Sequence, residues 1–194
     1  MANQTATKCL IGEARMNWVR IFEPETFEGT TRYSVTLTFP KSDTKLYNEI
    51  QAKIAECAKK AEQTMFGGKL PKKFTLPAIK DGDEDFDGDG YEGMYVIKAS
   101  SAYKPEVVKK ETVMGKKSLV PITDEEEFYS GCYGFASVTF TAYSKDVNKG
   151  ISCQLNSVLK TKDGERFASK SSAADDFSGL LDDLDDQDDC SDLY

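Results

Sequence analysis

The chain has 194 residues, a formal net charge of −8, five cysteines and no histidine. Without histidine, neither serine–histidine nor cysteine–histidine catalysis nor histidine-ligated zinc can occur, and the cysteines are odd in number, widely spaced and without a Cys-x-x-Cys pair. The sequence also contains no long apolar run and no signal-peptide pattern. We therefore expect a cytoplasmic protein without membrane contact that is not an enzyme and uses no metal or cofactor.

Two predicted strands come first along the chain. The alternation over residues 8–22 assigns five side chains to one face: Leu10, Gly12, Ala14, Met16 and Trp18. Residues 32–39 alternate more cleanly, with apolar side chains from Tyr33 to Phe39 opposite the polar ones that begin at Arg32. A period of two is typical of a half-buried strand.

A helix is predicted next. Pro40 ends the second strand, and Ser42 or Asp43 can cap the helix that follows. Gly67 and Gly68 stop it. Apolar residues recur between these points at helical spacing and indicate a face packed in the core: Leu46, Ile50, Ile54, Cys57 or Ala58, Ala61 and Met65.

The rest of the chain reads as β structure with polar connections. The predicted segments are a basic connector at 69–80, an acidic loop at 81–90, a strand at 93–101, a hairpin at 104–118 with its tip near Gly115, and two long strands at 131–145 and 149–162. This order describes a mostly antiparallel β fold with one main helix, either a barrel or a sandwich. Residues 1–170 are the size of one domain.

The acidic loop contains a pattern like the start of a calcium-binding EF-hand loop at residues 85–90. The position that requires a bidentate glutamate is Val96, and no helices flank the loop, so an acidic turn is the better interpretation. A hydrolase or nuclease using these carboxylates with a divalent metal would need a rigid ligand cage, which a Gly- and Asp-rich loop does not offer.

The strand at 132–145 has two different faces. Its even positions, from Cys132 to Ala142, are small or apolar and suit a packed interior. Its odd positions mix aromatic rings, hydroxyls and a lysine: Tyr133, Phe135, Ser137, Thr139, Thr141, Tyr143 and Lys145. Unpaired bases stack on aromatic rings while hydroxyls and lysines contact phosphates. The alternative is that the helix covers this face and the aromatics only pack.

On this interpretation the predicted stacking residues are Tyr133, Phe135, Tyr143 and Trp18. Lysines lie in strands and loops near the same surface, where they can neutralise a phosphate backbone. They include Lys98, Lys104, Lys145 and Lys149.

Residues 171–194 hold nine aspartates and no lysine, arginine or glutamate. Because the whole chain has 25 basic and 33 acidic residues, residues 1–170 keep 25 basic against 24 acidic residues. We expect this acidic tail to be disordered, since it cannot bury enough apolar surface to offset its ordering entropy. It either serves solubility or imitates a nucleic-acid strand, competing for a cationic groove and binding partner proteins. The residues assigned to that second role are Asp182, Asp183, Asp185, Asp186, Asp188, Asp189, Asp192 and Tyr194.

Five blocks of sequence resemble the Enc34-type single-stranded DNA-binding proteins of bacteriophages. They are KDGDE at 80–84, YEGMYVIKASS at 91–101, YSGCY at 129–133, NKGISCQLN at 148–156 and DGER at 163–166. The resemblance extends over residues 18–177. It implies an OB-fold-like barrel that binds single strands without strong sequence preference in phage replication or recombination. Within the matched blocks it implies DNA contacts at Lys98, Tyr129 and Tyr133, and beside them at Tyr103 and Lys104.

The sequence therefore predicts a non-enzymatic single-strand binder with a DNA-binding domain at 1–170 and a partner-binding tail at 171–194. The alternative is an adaptor or DNA-mimic protein whose acidic tail binds other proteins. The nearly neutral charge of residues 1–170 argues against a DNA mimic, which would carry negative charge over its folded surface. The sequence leaves open whether the chain forms a homodimer.

Overall fold

The structure is a computed structural model and describes residues 5–27, 29–77, 79–86, 90–113 and 115–166. Among these residues the chain forms ten elements. They are β1 (Thr7–Phe27), β2 (Thr30–Pro40), α1 (Thr44–Thr64), β3 (Ile79–Asp81), α2 (Gly82–Asp85), β4 (Met94–Ser101), β5 (Glu106–Val113), β6 (Lys116–Pro121), β7 (Tyr133–Lys145) and β8 (Asn148–Lys162). The predicted strands, hairpin and main helix are confirmed, whereas the short β3 and α2 were missed inside the connector and the acidic loop.

Five strands close into a barrel. The strand order is β3-β4-β2-β1-β7-β8-β5-β6, and a parallel bridge between Ser100 and Gln154 joins β4 to β8. The ring is therefore β1-β2-β4-β8-β7, with β3 paired outside β4 and the β5–β6 hairpin paired outside β8. This is an OB-fold-like barrel with a helix between its second and third strands, so the prediction of a mostly β barrel is confirmed and the sandwich is not formed.

The barrel interior follows the alternation predicted for β7. Even-numbered residues of β7 from Gly134 to Ala142 are buried, opposite Cys9 and Ile11 of β1 and Leu155 of β8. Gly134 is needed at a close approach, because a Cβ there would lie 2.1 Å from the Leu159 carbonyl oxygen. Small and large side chains thus fill the narrow interior of the barrel.

The single-face assignment for β1 was wrong. Leu10 is 57% exposed and Trp18 is 59% exposed, although Ala14 and Met16 on the same predicted face are buried. The register of β1 shifts three times: between Ile11 and Ala14 against β7, and between Asn17 and Arg20 and again between Arg20 and Glu25 against β2. Each of the first two shifts inserts one residue and reverses which parity points inward, and alternation alone cannot reveal it.

Helix α1 packs against β1, β7 and β8. The side chain of Asp43 caps its start, with Oδ1 accepting a hydrogen bond from the Leu46 amide at 3.0 Å. All the predicted core positions from Leu46 to Ala61 except the alternative Ala58 are buried. Met65, which is 41% exposed, was wrongly included in that stripe. Its position at the C-cap explains the difference, since the helical face ends there.

No helix among the described residues is long and apolar enough to cross a membrane. Within the same residues, no group of three or more His, Cys, Asp or Glu side chains is arranged to hold a metal ion. Residues 87–89 of the acidic loop lie outside the described part of the chain.

The buried cysteines should be unreactive in the native protein. Burial raises the pKa of the Cys9 and Cys132 thiols to about 11 and that of Cys153 to about 12, so almost no thiolate is present at pH 8. We expect iodoacetamide to leave these three cysteines unmodified in the native protein and to modify all of them after unfolding in guanidinium, as measured by peptide mass spectrometry. Rapid native modification at any of them would contradict their placement in the core.

Candidate nucleic-acid interface

The outer face of β2 and β4 is polar. Val35 and Leu37 of β2 and Ile97 of β4 point into the barrel, so the residues between them point outward. The outward-facing residues are Ser34, Thr36 and Thr38 on β2 and Val96, Lys98 and Ser100 on β4, paired as Ser34 with Ser100, Thr36 with Lys98 and Thr38 with Val96. Ser34, Thr38 and Val96 are buried, whereas Thr36 and Ser100 are half-buried and Lys98 is exposed. Since β2 and β4 are the second and third strands of the barrel, this is the face on which OB-folds bind oligonucleotides and oligosaccharides.

A cavity of about 460 Å³, which we call the central groove, lies on this face. Its floor includes Thr36 and Lys98, and its walls come from Trp18 on β1, Lys80 on β3 and Phe86 after α2. The groove therefore combines two aromatic side chains, two cations, three hydroxyls and several apolar side chains in one concave surface. Single-strand binding sites join aromatic rings for the bases to cations for the phosphates in this way.

Trp18 enters the groove from an unusual backbone conformation. Its φ of 49° lies in the left-handed region, which bulky residues rarely adopt and which costs roughly 1–3 kcal/mol. The conformation falls at the bulge after Asn17 and turns the side chain out of the barrel. The Trp18 Nε1 donates a hydrogen bond to the Tyr91 hydroxyl at 2.8 Å. Strain of this kind is typical of ligand clamps, because the surrounding structure must hold the residue in place.

The cations of the central groove are open to a ligand. Lys98 lines both the central groove and a neighbouring pocket of about 170 Å³, where Arg32 joins it. The side chains of Arg32, Lys80 and Lys98 are exposed. None of the three has a carboxylate partner among the residues that the structure describes. The charge of Lys80 and Lys98 is therefore available to an anion, while Arg32 shares the smaller pocket with Glu25, which pairs with Arg20.

The outer face continues at the other end of β2 and β4, where the cations are paired. A pocket of about 390 Å³ there is lined by Arg15, Thr38, Tyr133 and Lys162 among others, and Lys162 also lines a further cavity of about 490 Å³. Carboxylates contact three of the lysines of this end: Lys109 with Glu127 at 2.5 Å, Lys160 with Asp163 at 2.7 Å and Lys162 with Glu13 at 3.7 Å. The positive charge of this end is thus largely neutralised.

The loop that carries Phe86 is anchored to the barrel. The Lys41 ammonium donates to Asp81 and, at 2.6 Å, to Asp83, whose other oxygen accepts from the Gly93 amide at 2.8 Å. These hydrogen bonds from Lys41 hold the pKa of both carboxyl groups below their usual values. The Phe86 ring stacks on the Tyr91 ring with centroids 4.7 Å apart. The aromatic wall of the groove is therefore fixed in place.

The predicted site residues do not form one cluster. Trp18 and Lys98 meet in the central groove. Tyr103, which is 78% exposed, and Lys104 follow β4 just beyond the end of the groove at Ser100. The Lys104 ammonium lies 5.3 Å from the centre of the Phe22 ring.

Tyr129 and Tyr133 lie at the paired end of the face. The Tyr129 hydroxyl donates to Asp163 or Gly164, each at 3.0 Å, and the Arg166 guanidinium lies 4.1 Å from its ring centre. The Lys160 ammonium, with the Tyr129 hydroxyl, holds the pKa of Asp163 below its usual value. Tyr129 therefore fastens the segment after β8. Tyr133 is half-buried, with the Lys162 ammonium 4.7 Å from its ring centre.

The remaining predicted residues lie along β7 and its turn. Phe135 is half-buried against Gly12, where an added Cβ would meet the Phe135 ring at 2.2 Å. Tyr143, 37% exposed, and Lys145 lie at the end of β7 next to the turn into β8. On β8, the Lys149 ammonium lies 5.9 Å from the centre of the Phe66 ring.

Three residues at this surface were missed from the sequence: Lys80 and Phe86, which line the central groove, and Arg32, which lines the neighbouring pocket. Arg32 belongs to the polar side of the cleanly alternating second strand, so the alternation of β2 held a usable signal. Lys80 lies in a connector with several lysines, and Phe86 lies in an acidic loop. Only the pairing of β3 with β4 brings these two residues to the groove.

A closed five-stranded barrel with an aromatic and cationic groove on its second and third strands defines an OB-fold protein of the kind that binds oligonucleotides. The particular family follows from its sequence model: the chain belongs to the family described as Enterobacter phage Enc34, ssDNA-binding protein, whose model matches residues 7–191. The resemblance seen in the sequence is thereby confirmed.

Solved structures agree with this assignment. The single-stranded DNA-binding protein from bacteriophage Enc34 in complex with ssDNA is 29% identical, with a TM-score of 0.64 over 84% of this chain and 90% of that one. A second structure of the single-stranded DNA-binding protein from bacteriophage Enc34 is 27% identical, with a TM-score of 0.62 over 89% of this chain and 90% of that one. The single-stranded DNA-binding protein gp2.5 of bacteriophage T7 shares the fold at 18% identity, with a TM-score of 0.51 over 88% and 98%. A search of curated protein sequences finds no match to this chain.

Proposed function

We propose that this protein is a phage single-stranded DNA-binding protein that acts in DNA replication or recombination, binding strands without sequence preference along the central groove and catalysing no reaction on them. The observation that carries the proposal is the exposed Trp18 ring beside Lys80 and Lys98 in the central groove, with Arg32 in the pocket that adjoins the groove at Lys98. Membership in the Enc34 family and the likeness to a complex with ssDNA support it.

In this proposal the aromatic rings of the groove contact the bases and its cations contact the phosphates. A base stacks on Trp18, whose ring accepts any base because every base has a π-face. Phe86, which lines the same groove and stacks on Tyr91, supports a neighbouring base. Arg32, Lys80 and Lys98 neutralise phosphates and release their counterions. The half-buried hydroxyls of Thr36 and Ser100 donate hydrogen bonds to phosphate oxygens.

The path of the strand extends beyond the central groove on both sides. Past Ser100 it reaches Tyr103 and Lys104, and at the opposite end it reaches Tyr133 beside Lys162. Between Arg32 and Pro40 alone, β2 spans about 26 Å. That length agrees with the roughly 4–16 nucleotides that single OB-folds cover. Tyr143, Lys145 and Lys149 flank the path from the β7–β8 turn, the second loop that OB-folds use for ligands.

The acidic tail at 171–194 lies outside the described residues, and we propose two roles for it. Its aspartates compete with DNA for the cations of the groove at low salt. Once DNA has displaced the tail, the same aspartates and Tyr194 bind replication or recombination proteins. A polyanion tethered to a nearly neutral body is suited to both roles, because its local concentration near the groove is high.

A titration with labelled oligo-dT tests the proposal and the tail together. We compare the full chain with a truncation to residues 1–170, at low and moderate salt, with duplex DNA as competitor. We expect both proteins to prefer the single strand, affinity to fall with salt, and the truncation to bind more tightly, most clearly at low salt.

The outcomes separate the parts of the proposal. A truncation that binds more weakly than the full chain would refute competition by the tail while leaving the groove intact. Absence of binding by both proteins would refute the DNA-binding function and favour an adaptor whose tail binds other proteins.

A further inference from the structure

Tyr91 contacts Trp18 from a position that DNA cannot reach. Its side chain is 7% exposed, its hydroxyl accepts the hydrogen bond from Trp18 Nε1 at 2.8 Å, and its ring lies on Phe86 with an angle of 14° between the planes. A buried ring offers no free face to a base. The polar tip of Tyr91 is instead directed at the edge of the exposed indole.

The hydrogen bond to Tyr91 is important for the orientation of the Trp18 ring. More than half of its surface is exposed, so packing fixes its rotamer less firmly than that of a core residue. Its backbone lies at a bulge in the left-handed region, where neighbouring strand pairs do not set the side-chain direction. A hydrogen bond at the edge of the ring restricts rotation about the side-chain bonds and does not itself cover either face of the ring.

The position of Tyr91 is itself determined by the barrel. Its carbonyl oxygen accepts from the Met94 amide at 3.1 Å, at the start of β4. A Cβ added at Gly82 would lie 2.0 Å from the same oxygen, so α2 packs tightly on this backbone. The Lys41 contacts with Asp81 and Asp83 hold α2 and the loop in turn.

We propose that Tyr91 is a positioning residue for single-strand binding: it touches no DNA and holds the Trp18 ring in the orientation on which a base stacks. The proposal rests on the proposed function of the groove. A ring ordered before binding loses less conformational freedom when the base arrives, so the affinity gained by stacking is larger.

The chain offers a direct probe, because Trp18 is its only tryptophan. Intrinsic tryptophan fluorescence therefore reports on this one side chain. Tyr91→Phe keeps the ring that stacks on Phe86 and removes only the hydroxyl. In the full chain without DNA, we expect this variant to lower the fluorescence anisotropy of Trp18 and to shift its emission maximum. Affinity for oligo-dT should fall about threefold to tenfold, the range for one lost hydrogen bond, with an unchanged salt dependence.

Tyr47→Phe is the matched control. It removes a tyrosine hydroxyl that accepts a hydrogen bond from Gln51 on α1, away from the groove. It should change neither the fluorescence of Trp18 nor the affinity. Thermal unfolding of both variants measures any general loss of stability. Such a loss could change the fluorescence and the affinity without a specific effect on Trp18.

Making Tyr91→Phe in the Trp18→Phe variant distinguishes a positioning role of Tyr91 from a purely structural one. Phenylalanine at position 18 has no Nε1 group, so in Trp18→Phe the further change Tyr91→Phe should not alter the affinity. An equal loss in both backgrounds, or unchanged anisotropy and affinity in Tyr91→Phe alone, would overturn the inference. If the wild-type chain does not bind oligo-dT, the proposed function fails, and the anisotropy of the DNA-free variant then decides whether Tyr91 orders Trp18.

Discussion

Trp18→Ala should lower the affinity for oligo-dT by about five- to 150-fold. Alanine removes the exposed ring of the central groove, and stacking of one base on an aromatic side chain contributes roughly 1–3 kcal/mol. The loss should persist at high salt, because stacking releases no counterions. Fluorescence anisotropy of labelled oligo-dT at two salt concentrations measures it, and quenching of Trp18 emission by the unlabelled strand shows the contact in the wild-type chain.

Two variants serve as controls for this prediction. Trp18→Phe keeps a smaller ring and should retain most of the affinity. Leu10→Ala removes an equally exposed apolar side chain from β1, eight residues before Trp18, and should have no effect on binding. Thermal unfolding should be nearly unchanged in Trp18→Ala, since the ring lies outside the core. A folded Trp18→Ala that binds with wild-type affinity would exclude Trp18 as the stacking residue.

Replacing Arg32, Lys80 and Lys98 together by glutamine should lower the affinity about 100-fold at 0.1 M salt. Each phosphate neutralised on a single strand contributes about 0.7 to the slope of log K against log salt, so three contribute about 2. The difference from the wild-type chain should shrink towards 1 M salt, where counterion release no longer favours binding. A salt titration of both proteins gives the two slopes directly.

The control for that variant has the same net charge. Lys45 and Lys59 on α1 and Lys117 on the β5–β6 hairpin are exposed and lie outside the groove. Changing these three to glutamine should leave the slope within about half a unit of the wild-type value. Equal losses in the two triple variants would mean that binding depends on net charge and not on the groove.

The two ends of the outer face are expected to differ in the same assay. Lys160 and Lys162 already contact carboxylates, so a phosphate arriving there must displace Asp163 or Glu13. Ion pairs exposed to solvent contribute little energy, and exchanging one anion for another gains less than filling an open site. Tyr133, beside Lys162, is therefore expected to contribute less to affinity than Trp18, and its role in binding stays a prediction.

The sequence identified part of the candidate site. Lys98 and Trp18 were assigned to DNA binding and do meet in the central groove. The alternation of β7 correctly separated its buried even positions from its more exposed odd ones. Because those odd positions include aromatic residues, the surface for base stacking was predicted on β7. The polar face of β2, from Arg32 to Thr38, carries no aromatic residue and was not interpreted as a binding face. The aromatic rings of the groove, Trp18 and Phe86, belong to other parts of the chain.

Local patterns by themselves determined the main helix and the longer strands of this protein. The helix from Thr44 to Thr64, the hairpin around Gly115 and the paired strands β7 and β8 follow from apolar spacing, capping and turn residues, which depend on near neighbours in the chain. The tertiary structure alone decided the rest. Bulges in β1 turned Trp18 outward, the β3–β4 pairing brought Lys80 and Phe86 beside it, and Tyr91 reached its indole across 73 positions of sequence. Contacts between distant segments leave no periodic signal, because their geometry is set by barrel closure and strand register.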